Sequence, residues 1–114
     1  MAHATADIGT RNYEVSLVAG HHCLKADEGF EAGGKDLGPA RHELLCAALD
    51  ACTAITLRMY AQRKGLPLSS VHVDVHLELE GKNRTMTRKL RLEGELDQAQ
   101  RAIGRISLSA HPLR

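Results

Sequence analysis

Glu43-Leu44-Leu45-Cys46-Ala47-Ala48-Leu49-Asp50-Ala51-Cys52-Thr53-Ala54-Ile55-Thr56-Leu57-Arg58-Met59-Tyr60 is the longest apolar-rich stretch of the chain. Apolar residues fall on almost every side of the helix this run would form, and a helix without a polar face belongs in an interior. Upstream, Gly38-Pro39 supplies a start, since Pro39 fits a first helical position. Downstream, Arg58, Arg63 and Lys64 complement the carboxyl end of the helix dipole, and Gly65 followed by Pro67 supplies a stop.

Working outward toward the amino terminus, Asp27 to Gly38 is glycine-rich, includes Gly33-Gly34, and holds too few apolar residues for a core element, so it reads as a loop. Before it, Tyr13, Val15, Leu17 and Ala19 alternate with more polar neighbours over Asn12 to Ala19, the period of a half-buried strand. Gly20 turns this strand into a partner running from His21 to Ala26.

Toward the carboxyl terminus, Val71, Val73, Val75, Leu77 and Leu79 alternate with His72, Asp74, His76, Glu78 and Glu80, giving one dry and one wet face. Gly81 to Asn83 reverses the chain into a second strand with Met86, Leu90 and Leu92 on one face and Thr87, Lys89 and Arg91 on the other. The acidic and basic outer rows can then pair across the hairpin. Asp97 caps a last helix carrying Ala99, Ala102, Ile103 and Ile106, ended by His111-Pro112. The order strands, helix, strands, helix predicts an α+β fold, read as a single domain over residues 1–114.

The chain has 114 residues, with 15 Lys and Arg against 14 Asp and Glu, and 3% aromatic residues. That balance lacks both the basic footprint and the stacking surface of a nucleic-acid binder. No basic-then-apolar leader opens the sequence, and no uninterrupted apolar run reaches the ~18 residues a membrane span needs, so a soluble, cytoplasmic protein without a membrane partner is expected. Cys23, Cys46 and Cys52 are odd in number and lack paired metal-type spacing, which points to reduced thiols. So small a domain also has difficulty burying its apolar surface alone, which favours oligomers.

Two groups of residues could carry chemistry. A cysteine within an apolar helix, such as Cys52, is either a small hydrophobe or a reactive thiol. The second role requires a nearby cation or donors, because a thiol ionises near ~8.5 and an apolar setting raises that value. His42, Cys46 and Asp50 step by four along the helix and share one stripe, offering imidazole, thiolate and carboxylate to a metal or as a nucleophile group; the alternative is a polar helix edge. His72, Asp74 and His76 share a strand face and read as a solvated row rather than a metal site.

The loop Gly33-Gly34-Lys35-Asp36-Leu37-Gly38-Pro39, the helix start Glu43-Leu44-Leu45, the Ala47-Ala48-Leu49 and Ala51-Cys52 steps, and the stop Lys64-Gly65-Leu66-Pro67-Leu68 together resemble the signature of the OsmC family over about 35 contiguous residues. Leu92-Glu93-Gly94-Glu95-Leu96-Asp97 is similar to that family's lead-in to its last helix. Resemblance to this OsmC/Ohr-like superfamily implies an intertwined homodimer: strands, a buried central helix, a β-hairpin and a C-terminal helix. The two central helices pack together, and the sites lie at the subunit interface. It also implies a relation to thiol peroxidases of organic hydroperoxides. There one cysteine attacks the peroxide, an arginine and a glutamate organise its thiolate, and a second cysteine near the carboxyl end resolves the sulfenic acid.

Carried over, Cys52 matches the attacking cysteine. Glu43 matches the acid of a branch with Glu-Leu-Leu here, while the peroxidase branches place theirs where this chain has His42. Glu43 can equally be a first-turn acid that stabilises the helix dipole. Arg11 or Arg41 is the candidate arginine, a surface position being the alternative for either. Glu43 precedes Cys52 by nine residues, ~13.5 Å along a helix and on its opposite face, so a first-turn residue meets Cys52 only across a dimer.

Ala110-His111-Pro112 stands where the peroxidases show Cys-Pro, and the sequence stops short of the family's last strand. Cys46, ~9 Å along the helix and ~120° round it from Cys52, is too far for a disulfide. Cys23 could approach only through the fold, so an external thiol reductant or this sibling cysteine is expected to finish the cycle. The leading expectation is a thiol-dependent hydroperoxide reductase of oxidative-stress defence, acting through Cys52, Glu43 and Arg11 on a small organic hydroperoxide without metal or cofactor. The alternative is a non-enzymatic protein of the same fold that binds a small apolar ligand in the interface cleft.

Overall fold

The computed structural model describes residues 2–95. The C-terminal helix expected from Asp97 lies outside them. The chain forms two compact units that divide between Leu45 and Cys46.

In the first unit, β1 (Ala4–Ile8), β2 (Val15–Ala19) and β3 (His22–Ala26) form an antiparallel sheet in that order. Ala19 pairs with His22, so Gly20-His21 is a two-residue hairpin loop, and Gly20 adopts the positive φ of 64° that such turns require. β2 begins at Val15 rather than Asn12. Strand β1 was not foreseen: it pairs Ala4 with Ala19 and Ile8 with Val15, yet all five of its residues are exposed, so no burial pattern marks it.

The glycine-rich loop is organised by a carboxylate. Asp27, 3% exposed, accepts hydrogen bonds from the backbone N–H groups of Tyr13 (3.1 Å) and Glu28 (2.8 Å) on Oδ1, and of Lys35 (3.2 Å) and Leu37 (3.3 Å) on Oδ2. Burial pushes its carboxyl up, but the four amide donors outweigh that effect and hold it below its ordinary 3.8. A 3-10 turn, Phe30–Ala32, follows. A side chain at Gly34 would collide with the Glu28 carbonyl, and one at Gly38 with the Lys25 carbonyl.

Helix α1 spans Arg41–Lys64, starting two residues after Pro39. Its first turn is fixed by Ala40, whose carbonyl accepts the Leu44 N–H at 2.9 Å, and by two acids. Glu43 Oε1 accepts the Ala40 N–H at 3.0 Å, and Glu28 Oε2 accepts the Arg41 N–H at 3.0 Å. These carboxylates satisfy orphan donors that proline alone leaves open. At the other end Gly65 (φ 66°) donates to Gln62 and Leu66 to Ala61, a Schellman closure, and Pro67 ends the helix.

By length and composition α1 could also cross a membrane. Asp50 and Arg58 interrupt its apolar run, and its buried residues Thr53, Leu57 and Ala61 form one stripe, as in a core helix. Within the single chain it is covered along this stripe rather than all round.

In the second unit, β4 (Leu68–Glu80) and β5 (Asn83–Gly94) form a long antiparallel hairpin around Gly81-Lys82, with Gly81 at φ 58°. Val71, Val73, Val75 and Leu77 stand opposite Leu92, Leu90, Arg88 and Met86 on a half-buried face. Arg88 therefore belongs to the row read as dry. On the exposed face Asp74 stands opposite Lys89, but the close contacts there run along the strands, His76 Nε2 within 3.0 Å of Asp74 Oδ1 and the Arg91 Nε to Glu93 Oε1 ion pair at 3.6 Å.

Candidate functional site

The face of α1 that carries Cys52 is defined by spacing. Ala48, Cys52, Ile55 and Met59 recur at steps of four, three and four, all exposed, and fall within ~60° of helical arc. Leu57, from the buried stripe, lies about opposite. Ile55 is 54% and Met59 59% exposed, and Leu45, one step earlier in the same pattern, is 44% exposed. Cys52 thus sits in the middle of an outward apolar seam with the three-and-four spacing of helices that pack side by side.

The other thiols stand elsewhere. Cys23 is exposed on β3 of the first unit, and Cys46 is half-buried one turn and a half before Cys52.

The acid and the arginines expected to serve Cys52 all belong to the first unit. Glu43 is engaged at the amino end of α1 through Ala40. Arg41 Nη1 lies 3.5 Å from Glu28 Oε1, an exposed guanidinium on a half-buried carboxylate. Arg11 lines an open cleft of ≈ 490 Å³ with Asp7, Ile8, Gly9, Thr10, Glu14 and Ser16. Glu14 in that cleft bonds the Lys25 ammonium, and this bond and charge, with a smaller contribution from Arg11, hold its carboxyl below 4.5. The cleft is therefore polar and of mixed charge.

Among the described residues no three His, Cys, Asp or Glu side chains, His42, Cys46 and Asp50 included, are grouped to hold an ion. Asp50 instead turns one oxygen into the interior, where Oδ1 is buried without a hydrogen-bond partner. One turn further on, Thr53 is 2% exposed and its Oγ1 accepts a hydrogen bond from Arg88 Nη1 at 3.1 Å. Sequence reading overlooked this guanidinium. Its signal was present, since Arg88 occupies a dry position in the alternation between Met86 and Leu90.

With the geometry in place, sequence comparison gives the ancestry: the model of the family described as OsmC-like protein matches residues 33–110. The chain belongs to the OsmC-like family. No curated protein matches it. Among solved structures, the OsmC like protein from Mycoplasma pneumoniae is similar at TM-score 0.76 and 13% identity, over 96% of this chain and 80% of that one. An organic hydroperoxide resistance protein OsmC from Legionella pneumophila follows at 0.65 and 21%, over 96% and 82%. The organic hydroperoxide resistance protein OhrB of Bacillus subtilis follows at 0.61 and 16%, over 96% and 84%. At such identities the shared property is the α+β OsmC/Ohr fold. This OsmC-like chain carries a cysteine in the middle of its long helix and presents it outward.

Proposed function

We propose that this OsmC-like protein is a thiol-dependent hydroperoxide reductase of oxidative-stress defence, a soluble cytoplasmic homodimer in which residues 1–114 act as one domain and Cys52 is the nucleophile. The observation that carries this reading is the exposure of Cys52 in the centre of the seam formed by Ala48, Ile55 and Met59. An exposed strip of large apolar side chains calls for a cover, and burying each such side chain contributes ~1.5–3 kcal/mol. A second copy of α1 laid against the first meets that need and makes an apolar cleft around the sulfur. The naming of several structural neighbours as organic hydroperoxide resistance proteins supports the same substrate class.

In the proposed reaction the Cys52 thiolate attacks the terminal oxygen of R–O–OH. A sulfur–oxygen bond forms, the oxygen–oxygen bond breaks, and the alkoxide leaves and takes up a proton as the alcohol. Sulfur loses two electrons to become sulfenic acid. Two equivalents of an external thiol then return it to the thiol, releasing water and a disulfide. Arg11 and Glu43, supplied by the second copy, are proposed to organise the thiolate.

The test is peroxide consumption with cumene hydroperoxide and dithiothreitol. Cys52→Ser is expected to abolish turnover while Cys46→Ser keeps most of it. Equal activity in the two variants would remove Cys52 from this role. An inactive wild type carrying a co-purified apolar compound would favour a ligand-binding protein built on the same seam.

A further inference from the structure

A charged side chain on a dry strand face and a threonine inside a helix are each poor local choices. Arginine needs its charge and donors satisfied when half-buried, and a β-branched hydroxyl residue is a weak helix former. Here the two occur in contact, Arg88 Nη1 to Thr53 Oγ1 at 3.1 Å, and Thr53 immediately follows Cys52. An apolar residue at position 88 would serve packing as well or better. Local rules broken together beside a candidate nucleophile mark a functional arrangement.

Bond geometry carries the argument one step further. Adjacent Cα atoms are ~3.8 Å apart, so the Thr53 contact holds Arg88 Nη1 within roughly 10 Å of the Cα of Cys52. Among the described residues of α1, Asp50 turns toward the interior, where its Oδ1 is buried without a hydrogen-bond partner. The facing β4 row, Val71, Val73, Val75 and Leu77, is uncharged. Arg58 donates to the Leu68 carbonyl, and Arg84 lies at the far end of the hairpin opposite Leu79.

We propose that Arg88 is a positioning residue for Cys52: through Thr53 it fixes the rotation of this turn of α1 against the hairpin and keeps a permanent positive charge behind the sulfur. This rests on the reading of Cys52 as the nucleophile. A second subunit over the seam would exclude water from the outer side and so strengthen the influence of the charge.

The experiment follows alkylation of Cys52 in the full-length protein by iodoacetamide across pH, read at the peptide level by mass spectrometry, for wild type, Arg88→Met, Arg88→Lys and Thr53→Val. Arg88→Met keeps volume without charge and is expected to fold. Its Cys52 labelling rate at pH 7 should drop about tenfold, as expected for removing a unit charge at this range, and its rate profile should move to higher pH. Arg88→Lys should restore most of the rate, and Thr53→Val should fall between them. A wild-type profile in Arg88→Met overturns the proposal. Because alkylation needs no peroxide turnover, a protein without peroxidase activity that still shows these shifts would reject the enzymatic reading while upholding Arg88.

Discussion

Glu43 Oε1 lies 3.0 Å from the backbone nitrogen of Ala40, so the acid proposed to serve Cys52 also closes the first turn of α1. The two roles separate by substitution. Glu43→Gln keeps an acceptor able to cap the turn and should leave thermal stability nearly unchanged, whereas Glu43→Ala should cost ~0.5–1 kcal/mol in denaturant melts. If Glu43 also organises the thiolate, Glu43→Gln should lower peroxidase turnover while its melting curve overlays wild type. Full activity in Glu43→Gln would confine the residue to capping.

Asp27 gives an acid-stability prediction. Its folded carboxyl titrates below the ordinary 3.8, so the unfolded chain binds the proton more readily. Its contribution is therefore complete above pH ~3.8 and is lost as pH falls through the lower folded value. Asp27→Asn should melt several degrees below wild type at pH 7, and the gap should narrow in the acid range. A constant gap from neutral pH to pH 3 would contradict the four-amide account.

Ile55, 54% exposed beside Cys52, should lie in the dimer seam. Ile55→Glu places a charge where apolar side chains are proposed to meet, and sedimentation velocity at micromolar concentration should show dimers for wild type and monomers for the variant. A monomeric wild type would leave the seam without its proposed cover.

Much of this fold is legible because its signals are periodic. The alternation places Val71, Val73, Val75 and Leu77 correctly on the half-buried face of β4, although Leu79, read as dry, is exposed near the hairpin turn and the buried Leu68 precedes the pattern. Gly65-Pro67 marks the helix stop, since only a glycine takes that left-handed turn cheaply. Strand β1 was illegible because exposed residues carry no burial pattern. Pro39 misplaced the helix start by two residues, because the N–H groups there are satisfied by Glu28 and Glu43, partners set by loop geometry rather than by spacing.

The site divides in the same way. Cys52 could be found from the helix and its family signature. Arg88 could not be tied to it, because a hydrogen bond linking residues 35 apart arises only once the hairpin and the helix are both placed.

The most direct test of the central claim uses the exposed Cys23 as an internal reference. The reduced protein is treated with one equivalent of cumene hydroperoxide and a sulfenic-acid trap, and the labelled cysteine is located by mass spectrometry. The account predicts rapid adduct formation at Cys52 with Cys23 and Cys46 left essentially unmodified. Labelling at Cys52 no faster than at Cys23 would show an ordinary surface thiol and contradict it.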